Sequence, residues 1–331
     1  MPRVRDTAAL ILTVFVVLAG VPTHDDRRLG ARAEPSSLAV GADTRLLIFA
    51  PHPDDEVLAA GGLIQQVREA GGTVHVVYLT SGDSYTDSAR FEAHITAEGA
   101  RPKPSDYRAL GHQREKEARA ALRTLGVGAW SLTFLGFPNG GLNRLTTTYW
   151  SERHPAFRSP YTRQARPALA ERINTDTEYR GENLTVELAE IIGDFKPTIT
   201  LVPRPEDQHA DHCATWFFVA DALHDVVRVN RRFRTDLVTY IVHYNNWGFQ
   251  DEDPILKPPD DLDGGVSGWI VRSLSDSELT AKRHALNKFK SQMDVMGWFL
   301  DGFARRTEVF SRPAPPDVTL PLRTSVCDEF E

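Results

Sequence analysis

The sequence predicts an α/β protein, a Rossmann-like three-layer domain built on a mostly parallel sheet. Three observations predict it. The runs Arg45–Ala50, Thr73–Thr80, Ser131–Leu135 and Thr198–Val202 are near-continuous in apolar residues, as strands covered on both faces are. Stretches with apolar residues at helical spacing separate them, so strands and helices alternate and right-handed crossovers follow. Clusters of histidine and aspartate directly follow two of these runs, where open parallel sheets bind ligands.

The elements follow in order. Val57–Ala70 has helical spacing and is ended by Gly71-Gly72. Gln113–Leu125 puts Ala118, Ala121, Leu122 and Leu125 on one face. Asn183–Phe195 points Leu184, Leu188, Ile191 and Ile192 inward. After His212 a helix runs through Ala222, and Leu237–Tyr244 and Trp269–Leu274 are β-rich. Asp276–Phe303 is a long helical region, and the tail from Arg312 is Pro-rich and irregular. The expected layout is residues 1–39 as a leader, 40–311 as the folded domain and 312–331 as a tail.

Composition narrows the class. At 331 residues the chain can bury a large core, and 41% hydrophobic with 25% charged residues is ordinary for a globular protein. A net charge of -7 argues against nucleic acid as a partner. Cys213 and Cys327 lack paired spacing, so neither a thiolate metal site nor a disulfide framework is expected. Arg3 and Arg5 precede a short apolar run, Ala8–Val21, which reads as a secretory signal with Ala31-Arg32-Ala33 as a cleavage candidate. An uncleaved anchor, with membrane association, is the alternative; either places the protein in the cell envelope or outside it.

The chemistry lies in two clusters, Pro51-His52-Pro53-Asp54-Asp55-Glu56 and His209-Ala210-Asp211-His212. Asp-Asp-Glu after a proline could by itself be a helix N-cap with acidic first-turn residues. Two such clusters, each behind a strand, favour a divalent-metal site. His52 and Asp55, three apart, share a face on a first helical turn, and His212 completes a two-His, one-carboxylate set of the kind that leaves a zinc position open. Asp54 and His209 are then spare acid/base groups, and Asp211 is a partner that can orient an imidazole. His75, His94, His112, His154, His224, His243 and His284 have no paired spacing and default to surface or core positions.

Those motifs resemble the PIG-L/LmbE-like family of zinc-dependent N-deacetylases, whose members act on N-acetylglucosaminyl-phosphatidylinositol and on the glucosaminyl precursors of mycothiol and bacillithiol. Leu79-Thr80-Ser81-Gly82-Asp83, Arg114-Glu115-Lys116-Glu117, Phe134 to Gly141 and Lys288-Phe289-Lys290-Ser291-Gln292 resemble further family segments. Asn139 stands where the family usually has Asp. The resemblance runs from about Arg45 to Phe310, with an insertion of about 143–180 whose Tyr149, Trp150, Tyr161 and arginines suit either a lid that stacks on sugars or a decorative excursion.

The resemblance implies one Zn²⁺, or another divalent transition metal, on His52, Asp55 and His212. It implies Asp54 as general base and a protonated His209 on the oxyanion. Arg114 is a candidate for gripping substrate, with a surface salt bridge as the alternative, and Asn139 is a candidate substrate contact. The implied partner is an N-acetylated amino sugar. A non-catalytic carbohydrate binder and a metal-dependent phosphoesterase are the competing readings, and the oligomeric state is not legible.

Overall fold

The computed structural model describes residues 37–248, 253–312, 314, 320–324 and 326–327. The expected basic-apolar leader therefore lies outside the described residues, apart from its last three positions. Among the described residues no helix is long and apolar enough to cross a membrane.

Five strands form one parallel sheet: β1 (Arg45–Ala50), β2 (Thr73–Thr80), β3 (Leu132–Phe137), β4 (Ile199–Pro203) and β5 (Asp236–Tyr240), in the order β3-β2-β1-β4-β5. The helices that connect them are α1 (Asp55–Glu69), α2 (Thr86–Glu92), α3 (Pro104–Thr124), α4 (Leu142–Leu145), α5 (Gly181–Phe195) and α6 (Ala210–Val229). Beyond β5 come β6 (Ile270–Ser273), α7 (Asp276–Leu286), α8 (Lys290–Gly302) and β7 (Thr307–Phe310), with β6 and β7 pairing antiparallel. The single helical region expected over Asp276–Phe303 is thus two helices.

The period-2 rule of strands assigns β1 to two cores. Leu46, Ile48 and Ala50 pack with α1, α3, α7 and α8 residues. Leu47 and Phe49 pack on the opposite face with residues of α5 and α6. Each such side chain removed from water stabilises the fold by about 1.5–3 kcal/mol. Burial on both faces is the physical reason these strands read as unbroken apolar runs.

Strand order reverses between β2-β1 and β4-β5, so the loops leaving β1 and β4 diverge to opposite faces and open a crevice between them. The Pro51–Glu56 cluster leaves β1, and the His209–His212 cluster leaves β4.

Packing bears on three expectations. Cys213 and Cys327 form a disulfide with Cα atoms 5.6 Å apart, where no disulfide was expected. Spacing could not show it, because the bond joins positions 114 apart and is made by packing of the tail onto α6. The 143–180 segment, open between a lid and a decorative excursion, packs several of its aromatics inward. Trp150 stacks on Phe218 of α6, Tyr149 packs on Phe157, and buried Tyr179 donates from its hydroxyl to the Gly136 carbonyl. Trp150 and Tyr179 thus cover α6 and β3, while Tyr161 packs on Tyr107 of α3. Finally, Arg114 is not at the surface but is 4% exposed.

Candidate metal centre

His52 does not share a helical turn with Asp55 as expected. It sits in the turn before α1, and its backbone N–H donates to Asp55 Oδ2 at 2.8 Å. Two prolines flank it and restrict the backbone of that turn. His212 lies in the first turn of α6. The two chain segments meet at three atoms. His52 Nδ1 is 3.2 Å from Asp55 Oδ2, His212 Nε2 is 3.1 Å from the same oxygen, and the two nitrogens are 3.3 Å apart. All three residues are buried.

The remaining ring nitrogens explain this orientation. His52 Nε2 donates to Asp211 Oδ2 at 3.2 Å, and His212 Nδ1 donates to Asp207 Oδ2 at 3.1 Å. Each imidazole thus turns its other nitrogen toward the triad, the usual arrangement of a carboxylate behind a metal-binding histidine. Asp211 is itself held by the backbone N–H groups of Gly140 and Leu142. Asp207 also accepts from the backbone N–H groups of His209, Val242 and His243.

A metal ion fits this donor set. A tetrahedron about 2.0 Å from centre to corner has edges of roughly 3.3 Å, and the triangle matches that. The local potential favours a cation too. Burial works hardest against charge on His212, yet Asp207 and Asp55 together still hold its pKa well above the usual value. Ring nitrogens of His209, and separately of His243, lie within 4.8 Å of triad atoms.

The triad opens into a cleft of about 300 Å³. Asp54 lies on one side of it, with φ 128°, a left-handed conformation that costs a non-glycine residue about 1–3 kcal/mol and that clusters at working sites. Burial pushes the Asp54 carboxyl up to about 7, while Arg114 pulls it down and Asp55 pushes it up. Arg114 Nη2 sits 3.0 Å from Asp54 Oδ2 and 2.7 Å from the Pro53 carbonyl, and Nη1 donates to Gly82 O. Gly82, at φ +65°, is needed there, because a Cβ would run into the guanidinium. Arg114 therefore lines the cleft but is engaged with Asp54. Asn139 lines the cleft as well.

His209 caps α6, its Nδ1 accepting from the backbone N–H of Asp211 at 3.2 Å. Burial, and then the neighbouring His52 and His212, lower its pKa well below the usual value. That direction runs against the protonated state assumed for His209 on the oxyanion.

Sequence reasoning missed Asp207 and His243. Asp207 sits in the polar turn that follows β4, two residues before His209. His243 follows the end of β5, so the strand-end rule applied to β5 as to β1 and β4 finds it.

Comparison with known proteins matches a family model described as PIG-L: GlcNAc-PI de-N-acetylase to residues 47–223. A glucosamine-6-phosphate deaminase-like protein of Bacteroides thetaiotaomicron is 41% identical over 64 residues, covering 19% of this chain and 9% of that protein. The 1D-myo-inositol 2-acetamido-2-deoxy-alpha-D-glucopyranoside deacetylase of Mycobacterium bovis is 40% identical over 85 residues, 26% of each chain. The chain thus spans about a quarter or less of the length of these curated relatives. Among solved structures, a conserved protein of Thermus thermophilus superposes with a TM-score of 0.49 at 19% identity, covering 83% of this chain and 97% of that one.

Proposed function

Because this chain belongs to the PIG-L family, described as GlcNAc-PI de-N-acetylase, we propose that it is a zinc-dependent hydrolase that removes acetyl from an N-acetylated amino sugar. The observation that carries the reading is the triangle of His52 Nδ1, Asp55 Oδ2 and His212 Nε2, 3.1–3.3 Å on a side, whose His52 and Asp55 line one cleft with Asp54. These three residues hold the metal. Zinc bound there supplies Lewis acidity, making water acidic near neutral pH and polarising an amide carbonyl.

The chain's own groups supply the rest. Asp54, poised at about 7, takes a proton from the attacking water and returns it to the leaving amine nitrogen, so acetate and the free amino sugar are formed. Arg114 aims Asp54 and holds its charge in place. His209 offers Nε2–H to the amide oxygen as it gains charge. Asp207 and Asp211 fix the two metal-facing imidazoles. Asn139 and the cleft wall contact the sugar.

The enzyme works outside the cytoplasm. Two features support this: the basic flank and apolar run at the start of the sequence, and the Cys213–Cys327 disulfide, since such bonds persist in oxidising compartments. An envelope or secreted N-acetylglucosaminyl glycan or glycolipid is the substrate class that this location makes available.

The test is metal analysis of the purified chain together with acetate and phosphate assays on N-acetylglucosaminyl glycans and phosphate esters. One zinc per chain with acetate release supports the reading. Phosphate release alone makes the site a phosphoesterase, and sugar binding without either product makes it a binding module. Fractionation of cells producing the full chain checks the location; cytoplasmic protein with reduced cysteines removes that part.

A further inference from the structure

His243 has no place in the mechanism so far, and its surroundings ask for one. It stands three residues beyond β5, at the same edge of the sheet as the triad. Its main chain is clamped: the N–H donates to Asp207 Oδ2 at 3.1 Å, and the carbonyl accepts from Gln208 N at 2.6 Å. The carboxylate that holds His212 thus also sets the position of His243.

The ring is placed as firmly. One face stacks on Phe299 of α8, with centroids 5.2 Å apart and planes 11° from parallel. Its edge meets His212 at 4.8 Å, and His209 is 5.2 Å away. A ring nitrogen lies within 4.8 Å of both an Asp55 carboxylate oxygen and a His212 nitrogen, and His209 bears the same relation to His52 and His212. Both rings line the cleft. The rings of His52, His209 and His212 each spend a nitrogen on a carboxylate or a backbone N–H. No side-chain hydrogen bond engages the ring of His243 among the described residues.

We infer that His243 is a catalytic residue, the second N–H donor to the amide oxygen, so that His209 and His243 form a two-imidazole cradle above the open face of the triad. This rests on the amidase reading above. An imidazole in either charge state carries at least one N–H, so the role needs no particular protonation. Donors fixed in advance toward an oxygen that gains charge act mainly in the transition state, and losing one costs about 10²–10³ in kcat.

The experiment uses the full chain loaded with zinc. His243→Phe keeps the flat ring on Phe299 and removes the N–H; His243→Leu repeats the removal if the first variant folds poorly, and His243→Gln restores a donor. The expected result is a kcat for acetate release from N-acetylglucosamine lower by about 10²-fold in H243F, with KM within about twofold and partial recovery in H243Q.

A binding readout stands beside turnover. The Kd of the methylphosphonamide of glucosamine, which puts a tetrahedral oxyanion where the acetyl carbon sits, should weaken by a similar factor in H243F, while the Kd of glucosamine stays the same. Three results overturn the inference: H243F matching wild type, a raised KM at unchanged kcat, or loss of zinc, which would make His243 a ligand. Wild-type turnover beside an unaffected variant removes this inference alone. No acetate release by the wild type removes the amidase reading, and this inference with it.

Discussion

Two clusters of charge are buried in this protein, and they are satisfied in opposite ways. Beneath α1, Lys282 of α7 and Glu308 of β7 both have side chains that are 0% exposed. The helix is broken at Ala60, with φ −139° and ψ 20°. Glu308 accepts from the backbone N–H groups of Gly62 and Leu63, and Lys282 donates to Glu308 and to the Leu58 carbonyl. One positive and one negative charge replace the hydrogen bonds that the break removes.

At the metal centre the sum does not close. Three carboxylates, Asp55, Asp207 and Asp211, surround His52 and His212, and two ring nitrogens face each other and a carboxylate oxygen across 3.1–3.3 Å. A backbone strained at Asp54 accompanies them. Balanced buried charge is architecture. Buried charge with acceptors left over, arranged at the spacing of a coordination sphere, is a donor set that a cation fits.

That contrast can be broken most directly at the triad. His212→Ala should empty the metal site and abolish acetate release while the fold persists; zinc stoichiometry and circular dichroism check both halves. A variant that keeps its zinc would mean that the triangle is not the binding set. Next comes Asp54→Asn, which keeps the shape but removes the base. Zinc should stay near one per chain while kcat falls by roughly 10²–10⁴-fold. Near-wild-type turnover would take the base role away from Asp54.

The architectural pair should answer in stability instead. Lys282→Met leaves Glu308 buried without its counter-charge and should cost about 3–5 kcal/mol in urea denaturation, with kcat per folded molecule unchanged. Adding Glu308→Gln should return part of the loss; if the double variant is no more stable than the single one, the charge balance is not what matters there. The disulfide comes next. Cys327→Ser should lower stability by about 2–5 kcal/mol, and reductant should then have no further effect on its melting temperature.

The smallest effect concerns Glu171, away from both clusters. Burial, and then the nearby Glu115 carboxylate, push its pKa from 4.5 to about 8. A raised folded-state pKa means that the folded form holds the proton longer than the unfolded form. Stability is therefore highest below about pH 4.5 and declines as pH rises toward about 8. Glu171→Gln should melt like wild type near about pH 5 and above it near about pH 9. Identical curves at both would show that the two carboxylates do not repel in solution.

Much of this was written locally. The strands of the sheet are apolar runs because both faces are buried, and the two acidic-histidine clusters sit at strand ends where composition alone marks them. What local reading gets wrong has one cause throughout: it assigns a residue to its neighbours in sequence. Tyr149 and Trp150 look like sugar platforms beside arginines, yet α6 needs covering and they cover it. His243 has no partner in sequence, and three rings meet it in space.

The sequence by itself determined the α/β class, the order of the main-sheet strands along the chain and the identity of the two clusters, because hydrophobic period and residue chemistry are local properties. Only the tertiary structure decided that Asp207 holds His209, His212 and His243 together, that Arg114 faces Asp54 rather than solvent, that His209 Nδ1 accepts from the Asp211 backbone, and that Cys213 meets Cys327. Most of these join segments that lie apart in the chain: α3 with the turn after β1, the turn after β4 with the end of β5, and α6 with the tail. A contact between such segments is set by how the sheet packs, not by the residues on either side of it in the chain.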